Sequence, residues 1–137
     1  MNVLVLNGSP KKKSDTFRLT DAFLKGLNKT KEHEVNIIHV IEKDIAPCRG
    51  CFGCWQKLDG HCVIQDDQNE ILAAYRAADV IIWSFPLYCY GMPSHLKAVL
   101  DRIIPLVQMR MVDCNLCACI ITPVMKILMR CKNDWMI

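Results

Sequence analysis

At 137 residues, 52% of them apolar, the chain is long enough to bury one proper core and fits a single domain, residues 1–137. Seventeen Lys and Arg against 14 Asp and Glu leave a formal net charge of +3, too small to imply nucleic acid, and no apolar run reaches the roughly 18 residues of a membrane span. Nine cysteines without a signal-peptide pattern at Met1 argue for a soluble cytoplasmic protein with reduced thiols, and for metal or redox chemistry over a disulfide framework.

In chain order, Val3-Leu4-Val5-Leu6 is a continuous apolar run, which suits a strand covered on both faces. Asn7-Gly8-Ser9-Pro10 ends it with a turn at which Gly8 lets the backbone approach a ligand. Ser14, Asp15 and Thr16 are capping residue types, and the N–H groups of a helix start, at its positive dipole end, favour a phosphate. Ser9, Ser14 and Thr16 add hydroxyl donors, and Lys11 is the lysine of the 11–13 cluster nearest the turn. The loop lacks both the Gly-Lys-Ser/Thr ending of a nucleoside-triphosphate loop and the three-glycine dinucleotide fingerprint. A mononucleotide phosphate, or a connection with no ligand, is left.

Leu19, Ala22, Phe23, Gly26 and Leu27 keep the spacing of a helix with one buried face over about 15–28. Residues 35–40 are β-branched and partly alternating, as in a strand nearer the sheet edge, with His39 on its surface. A long connection follows, from 42 to about 65, holding Pro47, Gly50, Gly53, Gly60 and Cys48, Cys51, Cys54 and Cys62. The thiols are separated by two, two and seven residues. Two such short spacings open the ferredoxin pattern, and a fourth cysteine brought back by Gly60 would complete a [4Fe-4S] site. Zinc uses the same tetrahedral thiolate set, and a metal-free thiol loop is the third reading.

Asp66 and Asp67 cap a second helix carrying Ile71, Ala74, Tyr75 and Ala78, and Val80-Ile81-Ile82-Trp83 reads as a third strand, again doubly buried. Residues 84–93 form a second loop at a strand's carboxyl end. A helix with Leu96, Val99, Leu100 and Ile103 follows until Pro105 ends or kinks it. His95 reads as a surface residue at its start, and Asp101 with Arg102 as a structural or interface pair. Strands alternating with helices imply a parallel α/β sheet whose ligand lies where the winding reverses. In the order 2-1-3-4-5 that point lies between strands one and three, so the loops at 8–16 and 84–93 should meet, with the cysteine loop on the same edge.

On these residues the sequence resembles the flavodoxin-fold family of NAD(P)H-dependent FMN reductases, including its iron-sulfur flavoprotein branch. The matching stretches are Asn7-Gly8-Ser9-Pro10 with Ser14 and Thr16, Cys48-Arg49-Gly50-Cys51-Phe52-Gly53-Cys54-Trp55, Gly60-His61-Cys62-Val63-Ile64-Gln65-Asp66-Asp67, Ala78-Asp79-Val80-Ile81, Pro86-Leu87-Tyr88, and Leu96-Lys97 with Asp101-Arg102. They run from residue 1 to about 106. The resemblance implies a flavodoxin-like three-layer sandwich with sheet order 2-1-3-4(-5), and FMN phosphate on Ser9, Ser14, Thr16 and nearby backbone, where Lys11 can assist. The flavin ring would lie on Pro86, Leu87, Tyr88, Cys89, Tyr90 and Gly91. It also implies an oxidoreductase, as a homodimer, passing electrons from NAD(P)H to a small acceptor such as a quinone or flavin. No catalytic side chain is required, because hydride moves directly between cofactors. In the iron-sulfur branch Cys48, Cys51, Cys54 and Cys62 would hold the cluster that exchanges electrons with FMN.

Beyond about residue 107 the resemblance stops. Residues 114–123 read as a fourth strand, with Thr122 and Pro123 where a third flavin loop belongs, and 124–130 as a short final helix. Cys114, Cys117, Cys119 and Cys131 read as unpatterned, partly buried thiols, with metal binding as the alternative. With no fifth strand, the carboxyl end reads as incomplete and one sheet edge as open, which favours dimerisation. A non-enzymatic, truncated flavodoxin-fold module is therefore the remaining alternative.

Overall fold

The computed structural model describes residues 1–11, 13–29, 31–56, 60–109 and 116–122, with backbone alone for 107–109 and 116–122. Its first unit is strand β1 (Asn2–Asn7), helix α1 (Asp15–Leu27) and strand β2 (Glu34–His39). After the short turn Val40–Glu42 come the one-turn helix α2 (Gly53–Gln56), helix α3 (Gln68–Ala77) and strand β3 (Val80–Pro86). Helices α4 (Ser94–Asp101) and α5 (Ile104–Met109) and strand β4 (Leu116–Thr122) complete the described elements. Pro105 sits in the first turn of α5, where its missing N–H costs nothing, and α4 has already ended.

All four strands are parallel, in the order β2-β1-β3-β4. Winding therefore reverses between β1 and β3, as the sequence pattern requires. β1 is central, and its period-two alternation sorts its side chains between two cores. Leu4 and Leu6 join Ile81, Trp83, Ile71, Leu96 and Val99 under α3 and α4. Val3 and Val5 join Ile82, Leu24, Phe23 and Leu27 under α1. Helices thus cover both faces of the sheet, which explains why residues 3–6 of β1 and 80–83 of β3 are apolar without interruption while the edge strand β2 exposes Glu34, Asn36 and Ile37.

Two expectations change in detail. The inward face of α1 is set by Thr16, Thr20 and Leu24, with Phe23 and Leu27 beside them, whereas Leu19, Ala22 and Gly26 are exposed. The buried threonines hide this phase from an apolar template, because hydroxyls can be buried when hydrogen-bonded. The predicted second-helix cap is split: Asp66 Oδ1 accepts from Gln68 N at 3.1 Å, while Asp67 Oδ2 accepts from Asp44 N at 2.8 Å. Lys12, Cys114, Pro123, the helix read over 124–130 and Cys131 lie outside the described residues. Among the described residues no helix is long and apolar enough to cross a membrane.

Candidate active site at the carboxyl edge of the sheet

The loop after β1 is tied to three neighbouring elements. Gly8 N–H donates to Ser84 O at 2.7 Å, joining it to the end of β3. His95 Nε2 lies 2.9 Å from Gly8 O, and since a carbonyl only accepts, that nitrogen carries the proton. Ser9 N–H donates to Asn7 Oδ1 at 3.1 Å, which turns the amide nitrogen of Asn7 towards His39 Nδ1, 2.9 Å away on β2. His39 and His95, expected on the surface, are half-buried and fasten the loop instead. A Cβ on Gly8 would stand 2.7 Å from Leu96 Cδ2, so glycine is needed here for close approach to α4.

The predicted anion-binding residues divide by what their hydroxyls already do. Ser14 is the extended N-cap of α1, and its Oγ accepts from Phe17 N at 3.2 Å, leaving its O–H to donate elsewhere. Ser9 is buried; its Oγ donates to Lys11 O at 3.1 Å and accepts from Lys11 N at 3.3 Å. Its proton is spent on the loop. Thr16 is buried in the first turn of α1, and Lys11 is exposed.

The loop after β3 is a tight turn. Tyr88 N donates to Gly91 O and Gly91 N to Tyr88 O, both at 2.8 Å, and the central residues Cys89 and Tyr90 have φ of 44° and 62°. Two successive left-handed residues define a type I′ turn, which normally recruits Gly, Asn or Asp. Non-glycine residues there cost about 1–2 kcal/mol each. Pro86 is half-buried at the strand end, Leu87 and Tyr88 are 40% and 49% exposed, and Tyr90 is 99% exposed. Leu87, Tyr88 and Tyr90 thus keep exposed apolar and aromatic surface on the loop that follows Ser84, the partner of Gly8.

The cysteine loop forms a cavity of its own. Cys48, Cys51, Cys54 and Cys62 line one small cavity with Val63, Ile64, Arg102 and Ile104. Cys48 and Cys51 are exposed, Cys62 half-buried and Cys54 buried. Burial pushes the Cys54 thiol above its ordinary 9.0, and the three neighbouring cysteines push the same way. The backbone is compact: Phe52 and Gly50 are left-handed, and a Cβ on Gly53 would meet Val63 Cγ1 at 2.6 Å. Trp55 Nε1 donates to Ile104 O at 3.0 Å and stacks at a tilt against Phe52. Among the described residues no three Cys, His, Asp or Glu side chains stand close enough to hold a single metal ion. The donor set suits a polynuclear cluster better, because its four thiolates bind different irons. The cavity that the four thiols line is small, about 30 Å³.

Arg102 does not pair with Asp101, which instead meets Lys97 one helical turn earlier. It is 1% exposed, lines the cysteine cavity and pairs with Asp66. A larger open groove of about 380 Å³, between the end of α1 and the start of β2, lies at the opposite edge of the sheet and gathers none of these groups.

A model of the flavodoxin-like fold family matches residues 1–105. The chain belongs to the flavodoxin-like fold family. It is 34% identical over 102 residues to an iron-sulfur flavoprotein of Methanosarcina thermophila, covering 74% of this chain and 52% of that protein. It is 29% identical over 118 residues to an FMN-dependent NADH:quinone oxidoreductase of Pseudoalteromonas atlantica, covering 74% and 54%. The solved structure of RosB with bound 8-demethyl-8-formylriboflavin-5'-phosphate superposes with a TM-score of 0.66 at 19% identity, covering 88% of this chain and 51% of that one. The chain spans about half the length of the curated relatives it matches.

Within this flavodoxin-like chain, Thr20, His95 and Arg102 shape the site although the sequence pattern assigns them no such part, while Asn7 and Ser84 lie in the loops that it expects to meet. Ser84 carried a usable signal, being a polar position in an otherwise apolar buried strand. The partnerships of His39, His95 and Arg102 had none, because each reaches more than 30 residues along the chain.

Proposed function

We propose that this chain binds FMN at the carboxyl edge of its sheet and acts in a cytoplasmic oxidoreductase that passes electrons from NAD(P)H to a small acceptor, a quinone or free flavin. The observation that carries this reading is the 2.7 Å bond from Gly8 N to Ser84 O, which brings the anion-binding and aromatic loops together where open α/β sheets take their ligands.

The residues present fit the cofactor. The start of α1 and the Ser14 hydroxyl favour a phosphate, with Lys11 adding charge. The turn at 88–91 pairs Tyr88 with Gly91 and leaves the Cys89 and Tyr90 N–H groups without acceptors among the described residues, so they can serve the polar edge of a ring. Leu87, Tyr88 and Tyr90 offer stacking surface. When bound, FMN supplies the hydride and electron chemistry; these side chains bind, orient and exclude water. The names of the relatives support the same chemistry.

Flavin absorbance in the purified or FMN-reconstituted protein, together with NAD(P)H oxidation that depends on FMN, is the expected result. Neither signal, and no thermal stabilisation by FMN, would favour a non-enzymatic flavodoxin-fold module. Exposed Phe52, Trp55, Leu87, Tyr88 and Tyr90 near the same edge support a homodimer, which sedimentation tests.

The convergence of Cys48, Cys51, Cys54 and Cys62 on one cavity favours a second reading, an iron-sulfur flavoprotein electron carrier with a [4Fe-4S] cluster. Iron and sulfide analysis separates the two. Cys48→Ala with Cys51→Ala should abolish a cluster spectrum and leave FMN bound.

A further inference from the structure

Arg102 is a fully buried cation at the end of α4, a placement that stability alone does not explain, since an apolar side chain of similar size is often as good or better. Its fork reaches both ends of the cysteine loop. Nη1 donates to Ala46 O at 3.0 Å, two residues before Cys48, and to Asp66 Oδ2. Nη2 donates to Cys62 Sγ and to Ile64 O, both at 3.3 Å. Asp66 completes the clasp by accepting from Ala46 N at 3.0 Å. Gln68 Nε2 fixes the base of the arginine by donating to Arg102 O at 3.3 Å. Arg76 Nη2 pins the return of the loop through Gly60 O at 2.6 Å. Of the four thiols lining the cavity, only Cys62 is given a cationic hydrogen-bond donor among the described residues.

We propose that Arg102 is a positioning residue for the cysteine site: it closes the loop from Ala46 to Asp66 around the four thiols, and its guanidinium, bonded to the Cys62 sulfur, raises the reduction potential of a cluster held there. This rests on the cluster reading above. A guanidinium donating to a ligand sulfur stabilises the extra negative charge of the reduced cluster, and hydrogen bonds to sulfur are among the levers that set such potentials. Lysine keeps the charge but lacks the planar fork that serves Asp66, Ala46, Cys62 and Ile64 together.

The test is anaerobic reconstitution of the full chain with ferrous iron and sulfide, followed by spectroscopic redox titration of wild type, Arg102→Lys and Arg102→Gln. Wild type should develop the absorbance of a [4Fe-4S] cluster. Arg102→Gln should show a lower midpoint potential, with Arg102→Lys between the two. If Arg102→Gln does not fold, the lysine variant alone reads the same shift. A loaded variant with the wild-type potential overturns the proposal while leaving the cluster reading intact, even if its melting temperature falls, because a purely structural arginine would produce that pattern. Failure of wild type to load any cluster overturns both.

Discussion

Thr20 Oγ1 lies 2.5 Å from Ser84 Oγ, joining the second turn of α1 to the end of β3 inside the core. Thr20 Oγ1 donates to Thr16 O at 3.0 Å, so the proton between the two hydroxyls is that of Ser84, and the two hydroxyls and the carbonyl form one buried chain at the start of α1. Thr20→Val removes the middle of that chain and leaves the Ser84 hydroxyl buried without its partner. It should cost about 1–3 kcal/mol of stability, read from urea unfolding, and loosen FMN binding. An unchanged unfolding midpoint would show that the pair contributes nothing.

Gly8→Ala drives a methyl group to within 2.7 Å of Leu96 Cδ2. Overpacking of this kind costs about 1–3 kcal/mol, and here the strain falls on the loop that would face the phosphate. FMN affinity, measured by quenching of flavin fluorescence, should fall together with stability. Leu96→Val in the same chain should recover part of both, whereas no recovery would place the defect elsewhere.

The two loop serines should behave differently. Ser14→Ala loses a helix cap worth about 1 kcal/mol and a donor to the phosphate worth about 1.5–3 kcal/mol, so FMN should bind at least tenfold more weakly. Ser9→Ala should have the smaller effect on affinity, because its proton is already donated to Lys11 O. If Ser9→Ala proved the more damaging in fluorescence titrations, the phosphate would have to sit against Ser9.

Acid should weaken the clasp on the cysteine loop. Burial pushes the Asp66 carboxyl up, but the Arg102 guanidinium and the N–H groups of Ala46 and Gln68 outweigh it and hold the group below its ordinary 3.8. A carboxyl depressed in the folded state adds stability that is complete above its unfolded value and is lost as pH falls through the folded one. The loss should begin near about pH 5 and continue below 4. Asp66→Asn should be less stable at pH 7 and flatter below pH 5 in urea midpoints; a parallel fall in both proteins would assign the acid sensitivity to other groups.

Much of this fold is legible in the sequence because the doubly buried strands announce themselves: Val3 to Leu6 and Val80 to Trp83 have no polar interruption, so they must be central. Gly8 and the capping Ser14 mark the loop between strand and helix for equally local reasons. What stays hidden depends on contacts across the chain. Asp101 and Arg102 look like a pair in sequence, yet adjacent residues of a helix point apart, and each finds its partner elsewhere. The buried phase of α1 was masked by Thr16 and Thr20, whose hydroxyls are satisfied by partners that no periodicity reveals.

Helix α4 begins with His95 and Leu96 against Gly8 and is capped at its other end by Arg102, which holds Cys62. Eight residues of helix make a strut roughly 12 Å long between the proposed FMN edge and the thiol cavity. A rigid element shared in this way makes occupancy reciprocal: whatever factor a filled thiol site adds to FMN affinity, bound FMN must return to the thiol site. FMN titrated into cluster-free and cluster-loaded protein would measure that factor directly, and the strut would transmit nothing if the two affinities were equal.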